Sequence, residues 1–192
     1  MLSWKKHIYH ISKKISKSIG ILQKASTMLD KKILTQLYYA FLYPFIVYCN
    51  VIWGNAPDNH LWQIFKLQKW AIRIVCNLRK RDSTKSSFFQ LKILRLPEIY
   101  RLSALLFVFK FKNGLLPPIF TNFFQENQQF HNYPTRQAQN YRNPRTRLKI
   151  ATTFIKCSGS SLWNALPPEI ANLTKIGRFK REIKSLLLIT YS

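Results

Sequence analysis

From Trp4 to Leu22 the apolar residues Trp4, Ile8, Ile11, Ile15, Ile19 and Leu22 recur at steps of four and three. That spacing is the stripe of one face of an α-helix, and no strand can accommodate it. At about 100° per residue, Lys6, Lys13, Lys17 and Lys24 fall within roughly 40° of one another on the side opposite the stripe. The chain must therefore begin with a helix that buries one face and presents a lysine rail on the other.

The rail has no acidic residue at i,i+4 to pair with, so in isolation its charges only repel. The whole chain shares this bias: 31 Lys and Arg stand against 7 Asp and Glu among 192 residues, a formal net charge of +24. With 47% apolar residues the chain has enough material for a core. A compact state this cationic repels itself until an anion arrives, and nucleic acid, an anionic membrane or an acidic protein would serve. Fourteen Phe, nine Tyr and five Trp favour nucleic acid, since aromatic faces stack on bases while cations hold phosphates.

Further helices follow. Asp30 is expected to cap a second helix with the apolar stripe Leu34, Leu37, Phe41 and Phe45. After the turn GNAPDN, Asp58 or Asn59 is expected to cap a third, which buries Leu61, Ile64, Leu67, Ala71 and Val75. That helix exposes Lys66, Lys69 and Arg73 and runs into the cluster Arg79, Lys80 and Arg81. A shorter helix passes through Phe88, Leu91 and Leu94. Pro97 then starts a fifth, ended by Asn113 and Gly114, and its LLFVFKF segment is apolar on nearly all sides. PPIFTNFFQENQQF reads as a short helical piece.

Residues 131–147, HNYPTRQAQNYRNPRTR, hold four arginines, two tyrosines and no acid, an irregular basic ribbon. The last unit contains SGSSLWNALPPEI, in which Trp163, Leu166 and Ile170 form a core clasp. It closes with a helix from about Lys175 carrying Phe179, Ile183 and Leu186 or Leu187. The expected fold is mostly α: a helical body over 1–125, a basic connector over 126–150 and a small helical tail over 151–192.

Several classes are disfavoured. Residues 33–53 are uncharged and long enough to span a bilayer, but Thr35, Gln36, Asn50, Pro44 and four tyrosines make a poor lipid-facing surface, and a buried helix pair broken near Pro44 is expected instead. Cys49, Cys76 and Cys157 have neither disulfide nor zinc spacing, which fits a reducing intracellular compartment, cytoplasm or nucleus. The N-terminus lacks the apolar core of a signal peptide. His7 and His10 lack neighbouring ligands for a metal. Asp30, Asp58 and Asp82 stand apart, each beside a turn or helix start. Ser160 and Ser161 beside Gly159 do not form a nucleophile elbow, and Cys157 reads as a structural thiol.

The segments LSWKKHI, KISKSIGIL, LYYAFLYPFIVYCNVIWGNA, LQKWAIRIV, HNYPTR, SGSSLWNALPPEI and FKREIK, in this order, resemble the C-terminal part of the reverse transcriptase of non-long-terminal-repeat retrotransposons, the jockey-like LINE elements. The resemblance covers essentially the whole chain. It implies a thumb followed by the C-terminal extension, with fingers and palm lying outside the chain. The thumb would grip template and primer, and the magnesium-binding Asp pair would belong to the palm, leaving this chain without a cofactor and without catalysis of its own. Lys6, Lys13, Lys17, Lys24, Lys66, Lys69, Arg73, Arg79, Lys80 and Arg81 are then expected on duplex backbone. Tyr133, Arg136, Tyr141, Arg142, Arg145 and Arg147 are expected on RNA or a single strand. The partners would be RNA, RNA–DNA or DNA duplex and the fingers and palm portion, without stable membrane insertion. Two other readings share these residues: a cationic membrane-associated protein, and a decayed copy of such an element with no selected role.

Overall fold

A computed structural model describes residues 4–130 and 138–189. Its described residues form ten α-helices and three short 3-10 helices and no named strand. They fall into two compact units, Met1–Tyr100 with Leu186–Ser192, and Arg101–Ser185. The expected boundaries at 125 and 150 are not where these units divide, because the fifth expected helix starts in one unit and ends in the other.

In the first unit, α1 (Lys5–Ala25) packs against α2 (Lys31–Phe41), α3 (Tyr43–Val47) and α5 (Asp58–Val75). The stripe on α1 is where the sequence places it: Ile8, Ile11, Ile15, Ile19 and Leu22 are buried. Each contributes on the order of 1.5–3 kcal/mol relative to an exposed side chain. Small Ser18 lets α1 approach α2, and its Oγ donates to the Phe41 carbonyl at 3.0 Å. Asp30 caps α2 as expected, accepting from the Ile33 N–H at 2.8 Å.

The stripe on α2 differs from the expected one. Leu34 and Tyr38 are buried, and Leu42 and Ile46 continue that face, whereas Phe41 is 42% exposed. LYYAFLYPFIV is apolar on every side, so periodicity could not choose the face. Pro44 restarts the helix as α3, and Cys49, in the left-handed region at φ 49°, separates α4 (Asn50–Trp53). Residues 33–53 are thus three short helices, and no helix among the described residues is long and apolar enough to cross a membrane.

At α5 the N-cap position is Pro57, without a side-chain cap; Asp58 lies inside the first turn, where its charge meets the positive end of the helix. Its buried face is Ile64, Gln68, Ala71, Ile72 and Val75, with Leu61 and Leu67 only half-buried. Helix α6 (Lys85–Gln90) is shorter than expected and leaves Leu91 and Leu94 outside it. Both α5 and α6 end with a side chain where glycine is usual: Asn77 at φ 50° and Lys92 at φ 52°. Each closes with the 6→1 hydrogen bond of a Schellman motif, Leu78 N–H to Arg73 O at 2.8 Å and Ile93 N–H to Phe88 O at 3.0 Å.

Helix α7 (Leu96–Lys112) is a helix and not a strand, and Gly114 at φ 64° ends it by the same motif, with Leu115 N–H on Lys110 O at 2.8 Å. In the second unit its Phe109 stacks on Phe179 of α10 (Ile176–Ile189) with ring centroids 4.4 Å apart. The helical content of PPIFTNFFQENQQF is two 3-10 turns, Pro118–Phe120 and Asn127–Gln129. Helix α8 (Ile155–Asn164) crowds α7 at Gly159, where an added Cβ would lie 3.1 Å from Val108 Cγ2. Of the expected clasp only Trp163 is buried, Leu166 and Ile170 being half-buried, and Pro168 opens α9 (Pro168–Ala171). Phe179, Ile183 and Leu187 are the buried face of α10, and Leu186 is exposed.

Candidate nucleic-acid interface

Lys6, Lys13, Lys17 and Lys24 are all exposed on α1. At 1.5 Å per residue they span about 27 Å along one side of the helix. Lys13 leans over the Tyr9 ring, its Nζ 4.6 Å from the centroid, and keeps its charge at the surface. Helices α1, α2 and α6 begin at lysine, Lys5, Lys31 and Lys85, and none has an acid in its first turn. At α1 and α6 lysine at the positive end of the helix dipole is unfavourable by about 0.3 kcal/mol or more, which an external anion would reverse, whereas at α2 the Asp30 carboxylate already stands at that end.

On α5, Lys69 sits 4.7 Å from the Trp62 centroid and 4.4 Å from that of Phe65, with Lys66 5.5 Å from Trp62. Burial first, then the charges of Arg73, Arg95 and Lys66, hold the Lys69 ammonium below its ordinary range. Such a crowded cation gains from a phosphate. Arg73 is half-buried rather than exposed, because its Nε and Nη2 donate to the Asp82 carbonyl at 3.3 and 3.2 Å. The Asp82 carboxylate in turn accepts from the Arg79 N–H at 2.8 Å. The acid of the RKRD loop thus shapes the turn, and the side chains of Arg79, Lys80 and Arg81 stay exposed.

The ribbon divides. Tyr133 and Arg136, with the rest of 131–137, lie outside the described residues. The part from Ala138 on is not free: Gln128 N–H donates to Ala138 O, Asn127 N–H to Asn140 O and Arg142 N–H to Gln125 O. Asn164 then clamps Tyr141 from both sides, its Oδ1 accepting from Tyr141 N–H at 3.0 Å and its Nδ2 donating to Tyr141 O at 2.8 Å.

Tyr141 therefore corrects one expectation. Its ring is buried, with centroids of Phe124, Phe111 and Trp163 at 5.4, 5.9 and 6.4 Å, so no base can stack on it. Burial first, then Glu126, pushes its hydroxyl up to about 12. Arg142 instead lays its guanidinium 4.0 Å over Phe130, and with Arg145, Lys156, Pro144 and Gln125 these residues line a cavity of about 340 Å³. Arg147 is exposed.

The structure thus brings Lys66, Lys69 and Arg73 together, and separately Arg142 with Arg145. Sequence reasoning missed Trp62, Phe130 and Lys156. Trp62 lies at i,i+4 from Lys66, a spacing that could have announced it; Lys156 comes to Arg142 only through the tertiary fold.

His7 makes edge contacts with Trp4 and Trp53, the Cys157 thiol is pushed up chiefly by burial, and the three cysteines are free. Asp30 caps a helix and Asp82 closes the turn of its loop, and among the described residues no three of His, Cys, Asp and Glu are placed to hold a metal ion. Comparison with family models, curated proteins and solved structures finds no match. The fold and the surface define a mostly helical, strongly cationic protein.

Proposed function

We propose that this chain binds nucleic acid through its sugar–phosphate backbone, as the thumb and C-terminal region of a LINE-type reverse transcriptase gripping template and primer. It performs no chemistry itself, and the metal-binding carboxylates come from a fingers and palm portion outside this chain. The observation that carries the reading is the one-signed α1 face: four lysines in a row over about 27 Å with apolar packing behind them. Lysines on a rigid helix give contacts indifferent to base sequence. The Trp62, Lys66 and Lys69 group and the exposed RKRD loop add further cations to the surface of the first unit.

Arg142, Arg145 and Phe130 supply a second contact suited to a single strand, since guanidinium and aromatic planes both stack on unpaired bases. Apolar side chains at the surface of α2 to α4, Phe41, Tyr48 and Ile52 among them, would pack against the palm.

Fluorescence anisotropy of the full chain with two RNA–DNA hybrids of unrelated sequence tests the proposal. Affinities within about twofold of each other are expected, because phosphate contacts carry no sequence information. Failure to bind either hybrid at low salt, with retention on anionic vesicles after a high-salt wash, would replace this reading with a membrane-surface one.

A further inference from the structure

Where the C-terminal end of α1 meets the end of α5 and the RKRD loop, Gln23, Ser26, Trp70, Arg73, Asn77 and Lys80 line an open cavity of about 670 Å³. That volume lies within the roughly 300–1,000 Å³ range of small-ligand pockets. Trp70 is 50% exposed, so an indole of large area stands at the wall without being consumed by the core. The Schellman turn fixes the backbone of Asn77, and the bond to Asp82 orients Arg73. Gln23 and Asn77 bring amides that can both donate and accept, and Lys80 brings a mobile cation. An aromatic face, two amides and two cations around one cavity match the base, base edge and phosphate of a nucleotide.

The position narrows the ligand further. Gln23 and Ser26 meet α5 on the side of α1 away from the rail, and the exposed Lys80 of the RKRD loop borders the cavity, so a strand end that passes that loop can reach it. Bases inside a duplex are stacked and paired and cannot turn toward Trp70. An unpaired base at the end of a duplex can.

We propose that this cavity receives an unstacked nucleobase from a single-stranded extension of a bound duplex, with Trp70 as its stacking partner. The inference rests on the backbone grip for delivery of the strand and assigns to it a preference the grip alone lacks. The indole face stacks on the base, Gln23 and Asn77 meet its edge, and Arg73 and Lys80 face the adjoining phosphate.

The test compares a blunt RNA–DNA hybrid with the same hybrid extended at its 3′ or its 5′ end, by anisotropy with the full chain. One extended form should bind about tenfold tighter than the blunt one. Trp70→Ala should remove that preference and leave blunt binding unchanged, with an unaltered circular dichroism spectrum. The double variant Lys13→Gln, Lys17→Gln should weaken all forms alike and preserve the ratio. Equal affinity for blunt and extended forms in the wild type overturns the proposal, as does a Trp70→Ala effect equal on both.

Adenosine monophosphate reads the cavity without the rail. It should quench tryptophan fluorescence in the wild type and not in Trp70→Leu. A Trp70-dependent quench in a chain that binds no hybrid upholds the pocket and removes the grip. Quenching without preference for an extension overturns the strand-end assignment, and absence of both overturns the pocket whatever the grip does.

Discussion

Gln68 has no exposed surface and holds three segments of the first unit together. Its Nε2 donates to the Tyr38 hydroxyl at 3.0 Å and to Leu94 O at 2.9 Å, and its Oε1 accepts from Leu96 N–H at 2.9 Å. Gln68→Leu keeps the volume and removes these three buried hydrogen bonds, at about 1–3 kcal/mol for each group left unsatisfied. We expect the variant to lose roughly 3 kcal/mol or more in urea denaturation; a loss below about 1 kcal/mol would show that the network is replaceable. Tyr141 gives a pH signature. An unfolded tyrosine ionises near about 10, and in the fold the hydroxyl is pushed up to about 12. The neutral phenol therefore contributes stability that is complete below about pH 10 and lost as pH rises toward 12. Across that window Tyr141→Phe should lose stability less steeply than wild type, and parallel curves would contradict the assignment. Neither residue was legible in the sequence. Gln68 interrupts an apolar stripe and reads as surface, while Tyr141 sits among arginines and asparagines; the partners of both lie far away along the chain.

Legibility rises at the scale of the element wherever one face is apolar and the other charged. On α1 the two faces differ at nearly every position, so stripe, rail and helix were all readable. The α2–α4 region was readable as broken at Pro44 but not as to which face is buried, because all its faces are apolar. The closing turns of α5 and α6 were hidden because Asn77 and Lys92 occupy the positive-φ site where Gly114 announces the end of α7. The rail makes its own prediction. Lys13→Gln with Lys17→Gln removes two exposed cations, of which Lys13 also loses its contact with the exposed Tyr9 ring, so relief of like charge should offset a loss of about 0.5–1 kcal/mol and thermal stability should change little. The slope of log affinity against log salt should become shallower by about 1.8 if both lysines contact phosphates, at about 0.9 per contact. Loss of affinity at constant slope would mean that the substitutions act through something other than phosphate contacts.

For the whole molecule, a mostly helical fold was legible, but its partition was not. A composition change near residue 125 suggested a boundary, yet α7 carries the chain across from one compact unit to the other well before it, and the end of α10 belongs with the first unit. Composition reports local texture, whereas compact units are set by contacts between distant segments. The charge of +24 belongs to this scale as well, for it can be neutralised only from outside the chain. The most direct test is the affinity of the full chain for an RNA–DNA hybrid measured across salt concentration. With six or more phosphates contacted, affinity should fall by about a thousandfold or more between about 50 and 200 mM salt. A binding constant that stays level across that range, or no binding at its lower end, would contradict a backbone grip by this cationic surface.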